Sequence, residues 1–123
     1  MEFRDAQPIY LQIADYVCER ILQKVWKSED RVPSVRELAV LLQVNPNTVM
    51  RTYEFLQQKN IIHNKRGLGL FVSSDGFRNA REYRRSEFLE KEVPSFFRSM
   101  TLLQIEPEEL ELIFKKYKRA KAQ

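Results

Sequence analysis

The sequence predicts a mainly α-helical fold carrying one small β-hairpin, and three observations carry that prediction. Only 3 glycines stand among 123 residues, with 31% charged side chains, a composition that suits helices better than a sandwich or barrel. Apolar residues recur at helical spacing in several separate stretches. One place breaks that rhythm: two short apolar runs flank the basic, glycine-bearing segment His63-Asn64-Lys65-Arg66-Gly67. Hydrophobic residues make up 43% of the chain, enough to build a core.

The elements follow in order. Pro8 suits the first position of a helix, where a missing N–H costs nothing. Ile9, Ile13, Val17 and Ile21 recur every four residues and predict an amphipathic helix over residues 7–24. The polar run Lys27-Ser28-Glu29-Asp30 interrupts it. Ser34-Val35-Arg36-Glu37 is a capping box, in which Ser34 and Glu37 satisfy each other's backbone N–H. Leu38, Ala39 and Leu42 give this second helix its apolar face. Asn45 caps a third helix with Pro46 at its first position, and Val44 and Val49 stand where a hydrophobic staple needs them. Val49, Thr52, Tyr53 and Leu56 share one face of it. Asn47, Arg51, Glu54 and Gln58 share the opposite face, which is wholly polar. The third helix should fade near Lys59-Asn60. Two strands, 61–62 and 68–72, are expected around the basic tip, with His63 as scaffold. Trp26 and Phe55 are expected to be partly buried against the first helix or the linker.

Ser73-Ser74-Asp75-Gly76 is the expected linker, dividing the chain into domains 1–75 and 76–123. A long helical stretch should follow over 77–104, with Arg78, Arg81, Arg84 and Arg85 on a solvated face. Leu89, Val93, Phe96, Met100 and Leu103 are spaced 4, 3, 4, 3, a heptad seam with Phe97 beside it. Pro94 should kink or split this helix. Pro107 starts a last helix whose face is Leu110, Ile113, Phe114 and Tyr117, and whose Lys115, Lys116, Lys118 and Arg119 suit its negative C-terminal end. Two heptads are short for a free coiled coil, so the seam is expected to pack on the last helix of a second copy. Residues 76–123 therefore read as a two-helix dimerisation module.

Charge is uneven. The chain carries +4 overall, with a pI of about 9.3. Residues 31–69 alone hold Arg31, Arg36, Arg51, Lys59, Lys65 and Arg66 against only Glu37 and Glu54. That is the footprint of a phosphate-facing surface. A third helix with a polar face, set after a tight turn, is the helix-turn-helix arrangement, which lays that helix in the major groove of DNA. The basic hairpin tip then serves as a wing on the minor groove or backbone. A protein- or RNA-binding winged helix is the alternative. The polar outer face lacks the apolar hot spot that a protein partner would want, and duplex RNA has a major groove too narrow for a helix.

Enzyme chemistry finds no support. One His and one Cys make neither a metal cluster nor a nucleophile pair, and no phosphate-binding G-x-x-x-x-G-K-[ST] loop is present. Gly67-x-Gly69 follows a helix and lacks a third glycine, so it is no dinucleotide site. No cofactor and no metal are expected. With Cys18 alone, no intramolecular disulfide can form, and no signal peptide or apolar run of about 18 residues is seen. The expected setting is the cytoplasm, without membrane contact.

Four stretches together resemble the signature of the GntR winged-helix regulators of bacteria. They are Pro8-Ile9-Tyr10-Leu11-Gln12-Ile13, Pro33-Ser34-Val35-Arg36-Glu37-Leu38-Ala39, Val44-Asn45-Pro46-Asn47-Thr48-Val49 and Gly67-Leu68-Gly69-Leu70-Phe71-Val72. They occur in the family's order and spacing and cover residues 8–72. The short helical part, 77–119, is similar to the YtrA subfamily, where it dimerises in place of a larger ligand-binding domain. The resemblance implies a homodimeric repressor on an inverted-repeat operator, with the small-molecule effector left open. It implies DNA contacts from Arg36 with Ser34 beside it, from Asn45, Asn47 and Thr48, from Arg51, and from Lys65, Arg66, Gly67 and Gly69 in the wing. Where the family has glycines between its first two helices, this chain has Lys24 and Glu29, and Leu70 replaces a common wing threonine.

Overall fold

The computed structural model describes residues 7–122; the first six residues of the expected N-terminal domain, and Gln123 at the end of the second, lie outside the described residues. Two compact units divide between Arg85 and Ser86.

Helix α1 (Ile9–Leu22) buries Ile13, Ala14, Val17, Cys18 and Ile21, the face its four-residue spacing marked out. Pro8 stands just outside it as N-cap, and its carbonyl accepts from the amides of Leu11 and Gln12. The helix stops short of Lys24, which is left-handed at φ 62°. Glu29 is left-handed too, at φ 70°. These are the two positions where the resemblance led us to look for glycine, and the loop keeps a glycine-like backbone without having glycine.

Helix α2 (Val35–Leu42) starts at the capping box: the Ser34 amide donates to Glu37 Oε1 at 2.9 Å, and the Glu37 amide donates to Ser34 Oγ at 3.1 Å. A left-handed Gln43 ends it, and α3 (Pro46–Gln58) begins three residues later with Asn45 as cap. Val49, Thr52, Tyr53 and Leu56 are the buried residues of α3, as its apolar face requires. Two long-range hydrogen bonds fix its position. Tyr53 donates its hydroxyl to Pro33 O at 2.7 Å, and Thr52 Oγ1 donates to Tyr10 O at 2.7 Å. Burial pushes the Tyr53 phenol above its ordinary pKa, so it remains a donor.

The hairpin has a longer first strand, a second strand one residue shorter, and a shorter tip than expected. Strand β1 (Ile62–Lys65) pairs antiparallel with β2 (Gly69–Val72), His63 facing Phe71 and Lys65 facing Gly69. Thus His63, Asn64 and Lys65 belong to a strand, and the tip is only 66–68. The Leu68 amide closes it on Lys65 O at 2.8 Å, and Gly67 supplies φ 80°. The polar run before α2 adds a third edge. Glu29 N donates to Val72 O, Val72 N to Asp30 O, and Val32 N to Leu70 O, with Arg31 bridged to Phe71.

The expected linker is a packed turn. Gly76 is buried so tightly that a Cβ there would meet Ile61 O and Val72 Cγ1 at 2.6 Å. Ser73 N donates to Ile61 O, and Ser28 Oγ to Ser74 O. Helix α4 (Gly76–Glu87) then buries Ala80 in the same core and packs Phe77 and Tyr83 against it. The first unit therefore runs to Arg85, ten residues past the expected boundary. Arg84 also departs from the solvated-face reading, pairing at 3.0 Å with Asp15, whose side chain is 13% exposed. Phe55 and Trp26 are partly buried: Phe55 lies edge-on to Tyr10 and Tyr83, and Trp26 to Tyr16.

The second unit holds a π-helical stretch (Phe88–Glu92), α5 (Val93–Leu103) and α6 (Pro107–Ala122). The π turn has a cause. Pro94 has no N–H and crowds the carbonyl four residues back, so the hydrogen-bond ladder widens just before it. Gln104, left-handed, ends α5, and Ile105 N donates to Met100 O. No described residue of the π stretch, α5 or α6 is buried. Leu89, Phe96, Phe97, Leu103, Ile113, Phe114 and Tyr117 are exposed, and Val93, Met100 and Leu110 half-buried. Among the described residues no helix is long and apolar enough to cross a membrane.

Candidate nucleic-acid interface

The N-terminus of α3 leaves backbone N–H groups without helical partners, which favours an anion there. Asn45 Oδ1 takes one of them, the Asn47 amide, at 2.8 Å. The Asn45 amide group then remains to donate outward. Asn47 and Arg51 are exposed one turn apart on the polar face, with Thr48 half-buried beside them. Arg51 is not loose: its guanidinium carbon sits 3.9 Å from the centroid of the Tyr10 ring.

The start of α2 is also built. The amide and hydroxyl of Ser34, and then the charge of Arg31, hold the Glu37 carboxyl below the usual carboxylate range. Ser34 thus spends its N–H, an oxygen lone pair and its hydroxyl on the cap. Arg36 follows, fully on the surface.

The wing presents its cations unequally. Lys65 lies 3.3 Å from Glu29 Oε2 and 4.4 Å above the Phe71 ring, so it flanks the hairpin. Arg66 occupies the tip with Gly67 and an exposed Leu68. Gly69 has φ 115°, and a Cβ on it would come within 3.0 Å of Arg31 Nε. Arg31 therefore lies along the base of the wing while its Nη2 stands 3.7 Å from Glu37 Oε1 at the start of α2.

Sequence reading missed two residues of this surface. Arg31 entered only as a charge, although a cation just before Val32-Pro33 was visible. Tyr10 entered only as a helix neighbour, and nothing local announces a contact across 41 positions. The residues expected to dimerise all belong to the second unit.

Residues 9–72 match the family model of bacterial regulatory proteins, gntR family. The chain is 43% identical over 72 residues to the uncharacterized HTH-type transcriptional regulator YhcF of Bacillus subtilis, and 42% over 72 residues to that organism's HTH-type transcriptional repressor YtrA. Those alignments cover 58% of this chain in each case, and 60% and 55% of the relatives, so the chain spans little more than half the length of the curated relatives it matches. A putative GntR-family transcriptional regulator from Bacteroides thetaiotaomicron superposes with a TM-score of 0.75 at 45% identity, over 93% of this chain and 99% of that one. These relatives are regulators, not enzymes. With more than half its length matched by the family model, the chain belongs to the gntR family of bacterial regulatory proteins.

Proposed function

We propose that the chain is a transcriptional repressor that binds an inverted-repeat operator as a twofold dimer. The observation that carries the reading is the exposed end of α3, where Asn45, Asn47, Thr48 and Arg51 offer donors on a helix whose other face is fully committed to the core. Helix α3 enters the major groove, and Arg51 presents a planar fork suited to guanine O6 and N7. Ser34, Arg36, Lys65, Arg66, Gly67 and Gly69 hold phosphate or the minor groove, which positions the reader without specifying sequence. The uncovered apolar side chains of α5 and α6, among them Leu102 at 83% exposure and Leu103 at 69%, support pairing with a second copy. A twofold dimer calls for two half-sites in inverted orientation. Occupied, such a site excludes polymerase, which supports repression, as does the similarity to the transcriptional repressor YtrA.

Selection of bound duplexes from a random DNA library, using the full chain, tests this directly. An inverted repeat with half-sites about one helical turn apart, or a multiple of it, is expected. A single unrepeated motif overturns the dimer, and equal retention of RNA duplexes overturns the DNA reading.

A further inference from the structure

The row of α3 residues 51, 55 and 59 meets a row of aromatic rings supplied by other helices. Tyr10 of α1 lies between Arg51 and Phe55. Its ring centroid is 3.9 Å from the Arg51 guanidinium carbon and 6.3 Å from the Phe55 ring, which meets it nearly edge-on at 79°. Phe55 in turn meets Tyr83 of α4 at 5.3 Å, and Lys59 Nζ stands 5.6 Å and 5.7 Å from those two rings. Tyr10 is itself pinned, because its carbonyl accepts the Thr52 hydroxyl at 2.7 Å from the next position along α3. The backbone of Tyr10 is therefore fixed to α3 by a hydrogen bond, and its ring packs against Phe55.

We infer that Tyr10 is a positioning residue for base recognition, holding the Arg51 guanidinium flat and aimed before DNA arrives. The inference rests on the reading of α3 proposed above. A distance of 3.9 Å is van der Waals contact with the ring face. A guanidinium stacked by its face keeps its N–H donors free, because they all radiate in its own plane. Among the described residues no ion pair or hydrogen bond claims those donors. A free arginine on a helix surface must lose its rotamer freedom when it docks on a base, whereas this one has given up much of it already. The ring thus acts on the discrimination that Arg51 exerts, not on overall attraction to the polyanion.

The experiment is a double-mutant cycle in the full chain, read as the ratio of affinities for the selected operator and for duplexes substituted base by base. A ratio is insensitive to the fraction of protein that is folded. Tyr10→Phe, which keeps the ring, should leave every ratio unchanged. Tyr10→Leu should lower discrimination about two- to fivefold, at the base position where Arg51→Ala acts and nowhere else. In the Arg51→Ala background, Tyr10→Leu should change nothing further. Should Tyr10→Leu fail to fold, Tyr10→Met supplies a flexible apolar side chain without a ring face. If Arg51→Ala relaxes one position while the ringless variants leave it intact, or add their effect independently, the positioning role is overturned and the DNA reading stands. If no variant and no base substitution alters the ratio, the base-reading role of α3 fails, and the role of Tyr10 fails with it.

Discussion

At the scale of single residues, the proposed DNA surface separates into groups that specify and groups that hold. In that reading Arg51 is the specifying one. Its planar donors fit a purine edge, and such a pair discriminates by about 1–3 kcal/mol. Arg51→Ala should lose that much against the selected base while its affinity for unrelated duplexes changes little, measured by competition titration. Arg66, exposed at the wing tip, is proposed as a holding residue. Arg66→Ala should weaken all sequences alike and reduce the slope of log affinity against log salt by about 0.9, the share of one phosphate contact. An unchanged slope takes the wing tip off the contact surface. Lys65 should contribute less, because Glu29 already competes for its ammonium at 3.3 Å. The identity of the polar face was legible, because a helix of known start fixes which residues look outward. The neighbours that orient those residues were not. Tyr10 and Arg31 act through contacts made only once α1 and the wing have packed.

At the scale of elements, the strongest local signals survived and the weak ones shifted. The capping box forms as written because Ser34 and Glu37 satisfy each other without help from the rest of the chain. Replacing Ser34 with Ala should cost about 1 kcal/mol in denaturant unfolding. The pH dependence follows from Glu37. Its carboxyl titrates lower in the folded chain than in the unfolded one. Its contribution is therefore present above the ordinary glutamate value, about 4.3, and is lost as pH falls through the lower folded value. The difference in melting temperature between the wild type and Glu37→Gln should shrink over that acid range and be flat above it. The hairpin boundaries were misplaced because 63–65 is polar and carries no apolar alternation, although its backbone pairs in full register. The strand-like edge 29–32 was hidden for the same reason. The loop before it holds a cost that sequence pattern cannot display. Lys24 adopts φ 62°, a conformation that favours glycine. Lys24→Gly should relieve about 1–2 kcal/mol of left-handed strain against about 0.5–1 kcal/mol of added chain entropy, a small net stabilisation that raises the melting temperature. A lower one would mean that the lysine's contact with Phe77, 5.7 Å from its ammonium, outweighs the backbone strain.

At the scale of the whole molecule, the question is where the reader ends and the proposed pairing module begins. The polar cluster 73–76 has the composition of a linker, and composition alone placed the boundary there. Packing decides otherwise, because Gly76 admits no side chain and Ala80, Phe77 and Tyr83 complete the core beneath α3 and the hairpin. The seam of α5 and α6 has the reverse character: its heptad spacing was legible, but only the structure shows that no described residue of it is fully buried. These two facts give a paired prediction. A chain of residues 1–85 should fold cooperatively, elute as a monomer and bind the operator far more weakly than the full chain, having lost the second half-site. A chain of residues 1–75 should unfold at lower denaturant, since it gives up buried Ala80 and the half-buried rings of Phe77 and Tyr83, each ring contributing a fraction of the roughly 1.5–3 kcal/mol of a fully buried large side chain, and with them the Arg84 partner of Asp15. Analytical ultracentrifugation and urea titration of the two truncations separate the cases. If 1–85 remains a dimer, the twofold contact lies on the reader itself. If 1–75 is as stable as 1–85, α4 is no part of the core it covers.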